Sequence, residues 1–213
     1  MLTAVEVFTV FWRAAWSGAQ AAQVQELNNY FTFLLTSPLI DQLAEYNTPT
    51  LKIGHGSLKG TATVATPAPP KATTDTAIRS MLQHQTATNH AFPAPGPNAL
   101  YFVYLPPGVS VTQGGGQSCK VFCGYHDNIS GQLFYAVMPY PGCNGCLGGL
   151  SIEDALTSTS SHELCEAITD PIPGQGWYDD HNGEIGDICA WKTRKIGQYT
   201  VQLEWSNKAN KCI

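Results

Sequence analysis

SIEDALTSTSSHELCEAIT, running from Ser151 to Thr169, reads as a single helix whose character changes along its length. Ser151 followed by Asp154 is a capping-box-like start, and Asp170-Pro171 forms the stop. Ile152, Ala155, Leu156, Thr159, His162 and Glu166 recur every three or four residues and so share one face. That face begins apolar and ends in a histidine and a carboxylate. A solvated charged face would not continue an apolar stripe, so the C-terminal end of this helix is expected to look inward.

The inward end carries His162-Glu163-Leu164-Cys165-Glu166, an HExxE sequence. In the zincin pattern HExxH, positions i and i+4 bind zinc from one helical face, and the Glu after the first His acts as general base. Here Glu166 takes the second ligand position and Glu163 the base position. A catalytic zinc uses three protein ligands, so one more is required. Gly183-Glu184-Ile185-Gly186-Asp187 follows about twenty residues on. If that segment starts a helix, Glu184 and Asp187 share a face. One would bind the metal while the other hydrogen-bonds the metal-bound His162, and Glu184 is the preferred ligand. His126 and Tyr178 are the candidate oxyanion donors. Zinc is the expected ion, and the carboxylate-rich donor set also admits Mn²⁺ or Ca²⁺. The acidic turn from Asp179 to Glu184 lacks EF-hand spacing, so a separate calcium loop ranks lower.

Further out, Val5–Trp12 reads as a buried strand and 19–35 as a helix, followed by a short helix at 39–46. Residues 51–64 read as extended, 66–74 as a Pro-rich connector, and 76–84 as a helix capped by Asp75. Strands are expected at 99–105, 120–125 and 132–138. The opening segment carries Glu6 and Arg13 and alternates like a strand, so it is read as the start of a mature chain and not as a leader. With no repeats and no break in charge pattern, the 213 residues are expected to form one α+β domain. Its N-terminal strand–helix part would span 1–97 and its Cys-rich part, with the metal motif, 98–213.

Only 13% of the residues are charged, about half the usual fraction, and the net charge is −5. This argues against nucleic acid or an anionic membrane as the main partner, and no stretch is long and apolar enough for membrane insertion. Seven cysteines fall in the second half, at 119, 123, 143, 146, 165, 189 and 212. The close pairs could hold a metal as thiolates or close disulfides. Low charge and many hydroxyl side chains favour a secreted, oxidising setting and hence disulfides. The expected pairs are Cys119–Cys123, Cys143–Cys146 and Cys189–Cys212, with Cys165 free and buried as a packing residue.

Several segments occur together in order: CGYH at 123–126, GQLFYAVMPYPGCNGC at 131–146, HELCEAITDP at 162–171, GWYDD at 176–180 and GEIGDICAW at 183–191. Together they resemble the Exordium family, also called phosphate-induced proteins, of plant cell walls and secreted microbial relatives. His126, Cys123, His162, Glu163, Glu166, Asp170, Trp177, Tyr178, Glu184, Asp187 and Cys189 fall on matching positions. The resemblance is strong over 98–191 and loose over 1–97. Cys165 departs from it, standing where a small apolar residue is usual. The resemblance implies a secreted protein with a zincin-like site, though not proteolysis, since the plant members are growth-related extracellular proteins. Two functions are therefore expected. One is a secreted zinc hydrolase acting on peptide or protein, with Glu163 taking a proton from metal-bound water. The other is a non-catalytic extracellular module that binds a cell-wall or protein partner around a structural metal or carboxylate cluster.

Overall fold

The computed structural model describes residues 1–213, apart from the side chain of Asn144. In chain order the elements are β1 (Glu6–Trp12), α1 (Ala21–Leu34), α2 (Pro38–Gln42), β2 (Ser57–Val64), β3 (Ala72–Thr74) and α3 (Asp75–Thr88). They continue with β4 (Ala99–Tyr104), β5 (Ser110–Gln113), β6 (Gly116–Gln117), β7 (Tyr125–Ile129), β8 (Leu133–Met138) and α4 (Asn144–Leu147). The chain ends with α5 (Ile152–Thr169), β9 (Thr193–Ile196), β10 (Tyr199–Gln202), β11 (Trp205–Ser206) and β12 (Lys211–Cys212).

Five strands form a mixed sheet in the order β2-β1-β4-β8-β7. All neighbours run parallel except the edge pair β7–β8. The central strands are buried on both faces and read as unbroken apolar runs, as central parallel strands do. Alternate residues therefore feed two cores. Val7, Phe11, Leu100, Phe102, Tyr104, Ala136 and Met138 pack with α1 and α5 on one face. Phe8, Val10, Tyr101, Val103, Tyr135 and Val137 pack with α3 on the other. The fold is thus mixed α and β, as expected. No helix of the described residues is long and apolar enough to cross a membrane.

The helix α5 starts where expected: the Ser151 side chain accepts a hydrogen bond from the Asp154 N–H. It is buried almost all round, between the sheet and the β9–β10 hairpin, which explains its many small hydroxyl residues. Tyr104 pairs with Ser160 Oγ at 2.8 Å, and Ser161 Oγ accepts from the Gln202 N–H at 2.8 Å. Each hydroxyl satisfies a polar partner at close range where a larger apolar side chain would not fit.

Three expectations of local structure are corrected. The helix α3 is capped by Thr74, not Asp75: Thr74 Oγ1 accepts from the Ala77 N–H. Asp75 instead accepts from the hydroxyls of Tyr125 and Tyr135. The strand expected at 120–125 begins only at Tyr125. Residues 119–124 turn instead, with Cys119 at a positive φ of 67°, because both flanking cysteines are drawn across to another loop. The disulfides there are Cys119–Cys143 and Cys123–Cys146, in place of the two local pairs, while Cys189–Cys212 is as expected. The two loops lie so close that a Cβ on Gly145 would come within 3.0 Å of the Cys119 carbonyl. This contact sets each cysteine against a partner on the opposite loop. Cys165 is free and buried.

Candidate metal centre

Three separate segments bring the expected residues other than Tyr178 into one cluster. The helix α5 supplies His162, Glu163 and Glu166. On β7, His126 is paired with Ala136 and so faces the α5 side of the sheet. The third segment is the turn at 183–187 ahead of a short 3-10 helix at Asp187–Cys189.

Nε2 of His162 lies 3.1 Å from Oε2 of Glu166, 3.8 Å from Oε1 of Glu163 and 3.9 Å from Oδ1 of Asp187. Nδ1 of His126 lies 3.4 Å from Oε2 of Glu163 and 3.7 Å from Oε2 of Glu166. On its other side, Nε2 of His126 is 3.0 Å from the Asp170 carbonyl and 3.5 Å from Oε1 of Glu184. His162, Glu166 and Asp187 offer ligand atoms that all lie within 4.8 Å of one another, and so do His126, Glu163 and Glu166.

The expected third ligand, Glu184, is not the carboxylate placed beside this pair. Asp187 reaches the His162–Glu166 pair, whereas Glu184 turns to His126. The cause is local: Gly183 sits at φ 90°, and Asp187 Oδ2 accepts from the Glu184 N–H, so 184 precedes the helical turn instead of starting it. Asp187 is not the hydrogen-bonding neighbour of His162 either. That place belongs to Gln202, whose amide donates to Nδ1 of His162 at 2.7 Å and to the Gly186 carbonyl at 2.9 Å. As placed, Nδ1 accepts and the ring proton is on Nε2; a cation at Nε2 requires that proton on Nδ1, and Gln202 would then give up its bond to the Gly186 carbonyl to present its oxygen. Sequence reading missed Gln202, which lies forty residues from its partner and carries no motif signal.

Two glycines make the packing possible. A Cβ on Gly186 would stand 2.6 Å from Nδ1 of His162 and 2.9 Å from Oε1 of Glu166. On Gly124 it would stand 2.7 Å from Oε1 of Glu163. Only glycine tolerates backbone this close to the cluster.

The electrostatics follow from burying these groups together. Burial opposes charge on His126, but the hydrogen bond to Glu163 and the charges of Glu184 and Glu166 outweigh it and hold the imidazole at about 9. His162 is likewise raised by Glu166 and Glu163 against the effect of burial. Burial lifts the carboxyls of Glu163 and Asp187, and Glu184 to about 8. Burial opposes ionisation of Glu166 as well, but His162 and His126 keep its carboxyl low.

A cleft of about 390 Å³ opens on His162, Glu163 and Asp187, walled by Val121, Phe122, Leu150 and Trp191 among others. Trp191 and Val121 are exposed at 63% and 74%. His126, Glu166 and Glu184 lie behind, outside the cleft lining. Tyr178 is half exposed and is not among the lining residues, so the structure does not bring this expected oxyanion donor to the cluster. Its neighbour Trp177 is partly buried and packs against Tyr46. The turn at 179–184 spends the Asp179 carboxylate on its own N–H groups at His181 and Asn182. The sulfurs of Cys119, Cys143 and Cys146 also cluster, but disulfides occupy them.

The donor chemistry fits a divalent metal, combining imidazole nitrogen with carboxylate oxygen in a buried pocket that reaches solvent through one cleft. No protein-family model, no curated protein and no solved structure matches the chain.

Proposed function

We propose that this chain is a secreted, metal-dependent hydrolase of zincin-like fold, acting on peptide bonds, and akin to the Exordium family. The observation that carries the reading is the position of Glu163. It lies beside a group of metal donors and at the foot of a cleft, with its two oxygens facing different partners. The mixed sheet with one antiparallel edge strand next to the HExxE helix supports the zincin-like frame. The three disulfides support an oxidising, extracellular setting.

His162, Glu166 and Asp187 would hold the cation, with zinc the expected ion and Mn²⁺ also compatible with one imidazole and two carboxylates. When bound, such an ion polarises a carbonyl and makes water more acidic. Glu163 takes the proton. Its Oε2 is steadied by His126, while Oε1 faces His162 and the cleft floor beside Gly124. Burial raises its carboxyl, making it a stronger base than an exposed glutamate once ionised. Gln202 fixes the plane of His162, and the apolar walls at Phe122, Leu150 and Trp191 limit water around the scissile bond.

The test is peptide cleavage by zinc-loaded wild type and Glu163→Gln. The variant is expected to keep the cation on His162, Glu166 and Asp187 and to lose turnover by about 10²-fold or more. Metal-loaded wild type that cleaves no peptide library would favour the alternative, an extracellular module binding a cell-wall or protein partner around a structural metal.

A further inference from the structure

Trp191 occupies a backbone position that suits glycine. The Lys192 N–H donates to the Cys189 carbonyl at 3.1 Å and closes a turn over these four residues. Within it Ala190 has φ −45° and ψ 137°, and Trp191 has φ 68°. This is a type II turn, whose third residue needs a positive φ and is ordinarily Gly or Asn. A bulky indole there is a steric outlier, and such outliers gather at ligand-binding sites.

The surroundings make room for the ring without burying it. A Cβ on Gly148 would stand 3.1 Å from Cε3 and 3.3 Å from Cζ3 of Trp191, so the indole lies against bare backbone. Core packing does not explain the placement, because Trp191 is 63% exposed. Among the described residues five large apolar side chains are exposed. The two most exposed, Val121 and Trp191, both line the cleft that opens on His162 and Glu163. Apolar residues scattered singly over a surface are ordinary, whereas two sharing one cleft mark a place for a ligand.

Val121 comes from a different segment and packs over Gly116, where a Cβ would stand 3.1 Å from its Cγ1. Both segments are cross-linked. Cys119–Cys143 and Cys123–Cys146 flank Val121, and Cys189–Cys212 anchors the turn of Trp191. Walls fixed beforehand lose little freedom when a ligand arrives. Two polar groups of the lining are already engaged, the Gln202 amide with His162 and Glu163 with His126. Leu150 and Ala190 add further apolar lining. Such a surface suits a hydrocarbon side chain better than the hydroxyls of a sugar.

We infer that Val121 and Trp191 wall a specificity subsite for a large apolar side chain, such as Phe or Leu, beside the scissile bond of a peptide. This deepens the proposed function and rests on it, since His162 and Glu163 in the same cleft place the bond to be cut.

The test pairs cleavage with binding. The probes are an acetylated, amidated peptide of Ala and Ser with one central Phe, its counterpart with central Ala, and cellohexaose. Cleavage by zinc-loaded wild type is located by mass spectrometry. Binding to Glu163→Gln, with and without zinc, is read by calorimetry. The Phe peptide is expected to be cut beside Phe with a kcat/KM about tenfold or more above its counterpart, and to bind more tightly by a similar factor. Trp191→Gly, in either background, should bring both ratios close to one. Its urea midpoint should not fall, because glycine suits the turn; Trp191→Asn serves if the glycine variant does not fold. A residue that merely packs the fold would lower the midpoint and leave the ratios intact, which overturns the subsite. Cleavage without preference also overturns it and leaves the hydrolase standing. Phe-selective binding that depends on Trp191, with no cleavage, overturns the hydrolase and upholds the apolar subsite. Binding of cellohexaose in place of the peptides overturns the peptide assignment, and binding of no probe overturns the subsite.

Discussion

A methyl group at Gly186 would collide with both His162 and Glu166, yet the position lies in a loop whose backbone conformation other residues adopt easily. Gly186→Ala is therefore expected to damage the cluster more than the fold. Zinc affinity should fall about tenfold or more, as for other disturbances of the shell around a metal, in competition with a chelating dye. Glu204 makes the opposite case. Its side chain is fully buried, neither carboxylate oxygen has a hydrogen-bond partner, and burial pushes its carboxyl well above the usual range. A carboxyl raised in the folded state gives stability that is full below the unfolded value of about 4.3 and is lost as pH rises. Glu204→Met should thus stabilise the protein by about 1–3 kcal/mol at pH 8, and by less near pH 4, in urea titrations. Destabilisation at pH 8 would mean that the carboxylate has a partner. The HExxE residues were legible because their geometry is local to one helix. The choice of Asp187 over Glu184 was not, since it turns on one positive φ at Gly183. Gln202 and Glu204 left no sequence trace, because their partners lie far along the chain.

The helix α5 carries the centre and is held from several sides. Ser151→Ala removes its N-terminal cap and should cost about 1 kcal/mol. The disulfides Cys119–Cys143 and Cys123–Cys146 bind the turn that bears Val121 and Phe122 to the loop before the helix, and so build one wall of the cleft. Replacing Cys123 and Cys146 by Ser should cost about 2–4 kcal/mol in urea unfolding. It should also weaken substrate binding more than metal binding, since neither cysteine touches a metal donor. Most helices and the central strands were legible from periodicity and apolar runs. The strand expected at 120–125 was not a strand because cross-links between distant cysteines override local β-propensity. Pairing itself is a property of two loops meeting in space, which spacing within either loop does not contain.

Across the molecule, the sheet provides the fixed frame for the cluster. The edge strand β7 presents His126 from one layer, α5 presents His162, Glu163 and Glu166 from the next, and the turn at 184–187 closes over them, secured behind by Cys189–Cys212. The α+β character was legible from the mixture of apolar runs and amphipathic helices, whereas strand order and the antiparallel edge depend on contacts between distant segments. Because the candidate donors come from separate segments, an ion bound there would tie them together. Removing it with chelator should lower the melting temperature by several degrees, restored by Zn²⁺ at many times its dissociation constant. The measurement to make is elemental mass spectrometry of protein purified without chelator, wild type beside Glu166→Ala, with circular dichroism confirming that both are folded. At least one divalent transition metal per chain is expected in the wild type and none above background in Glu166→Ala. A folded wild type with no transition metal, or a Glu166→Ala variant with undiminished content, would contradict a metal centre on this helix.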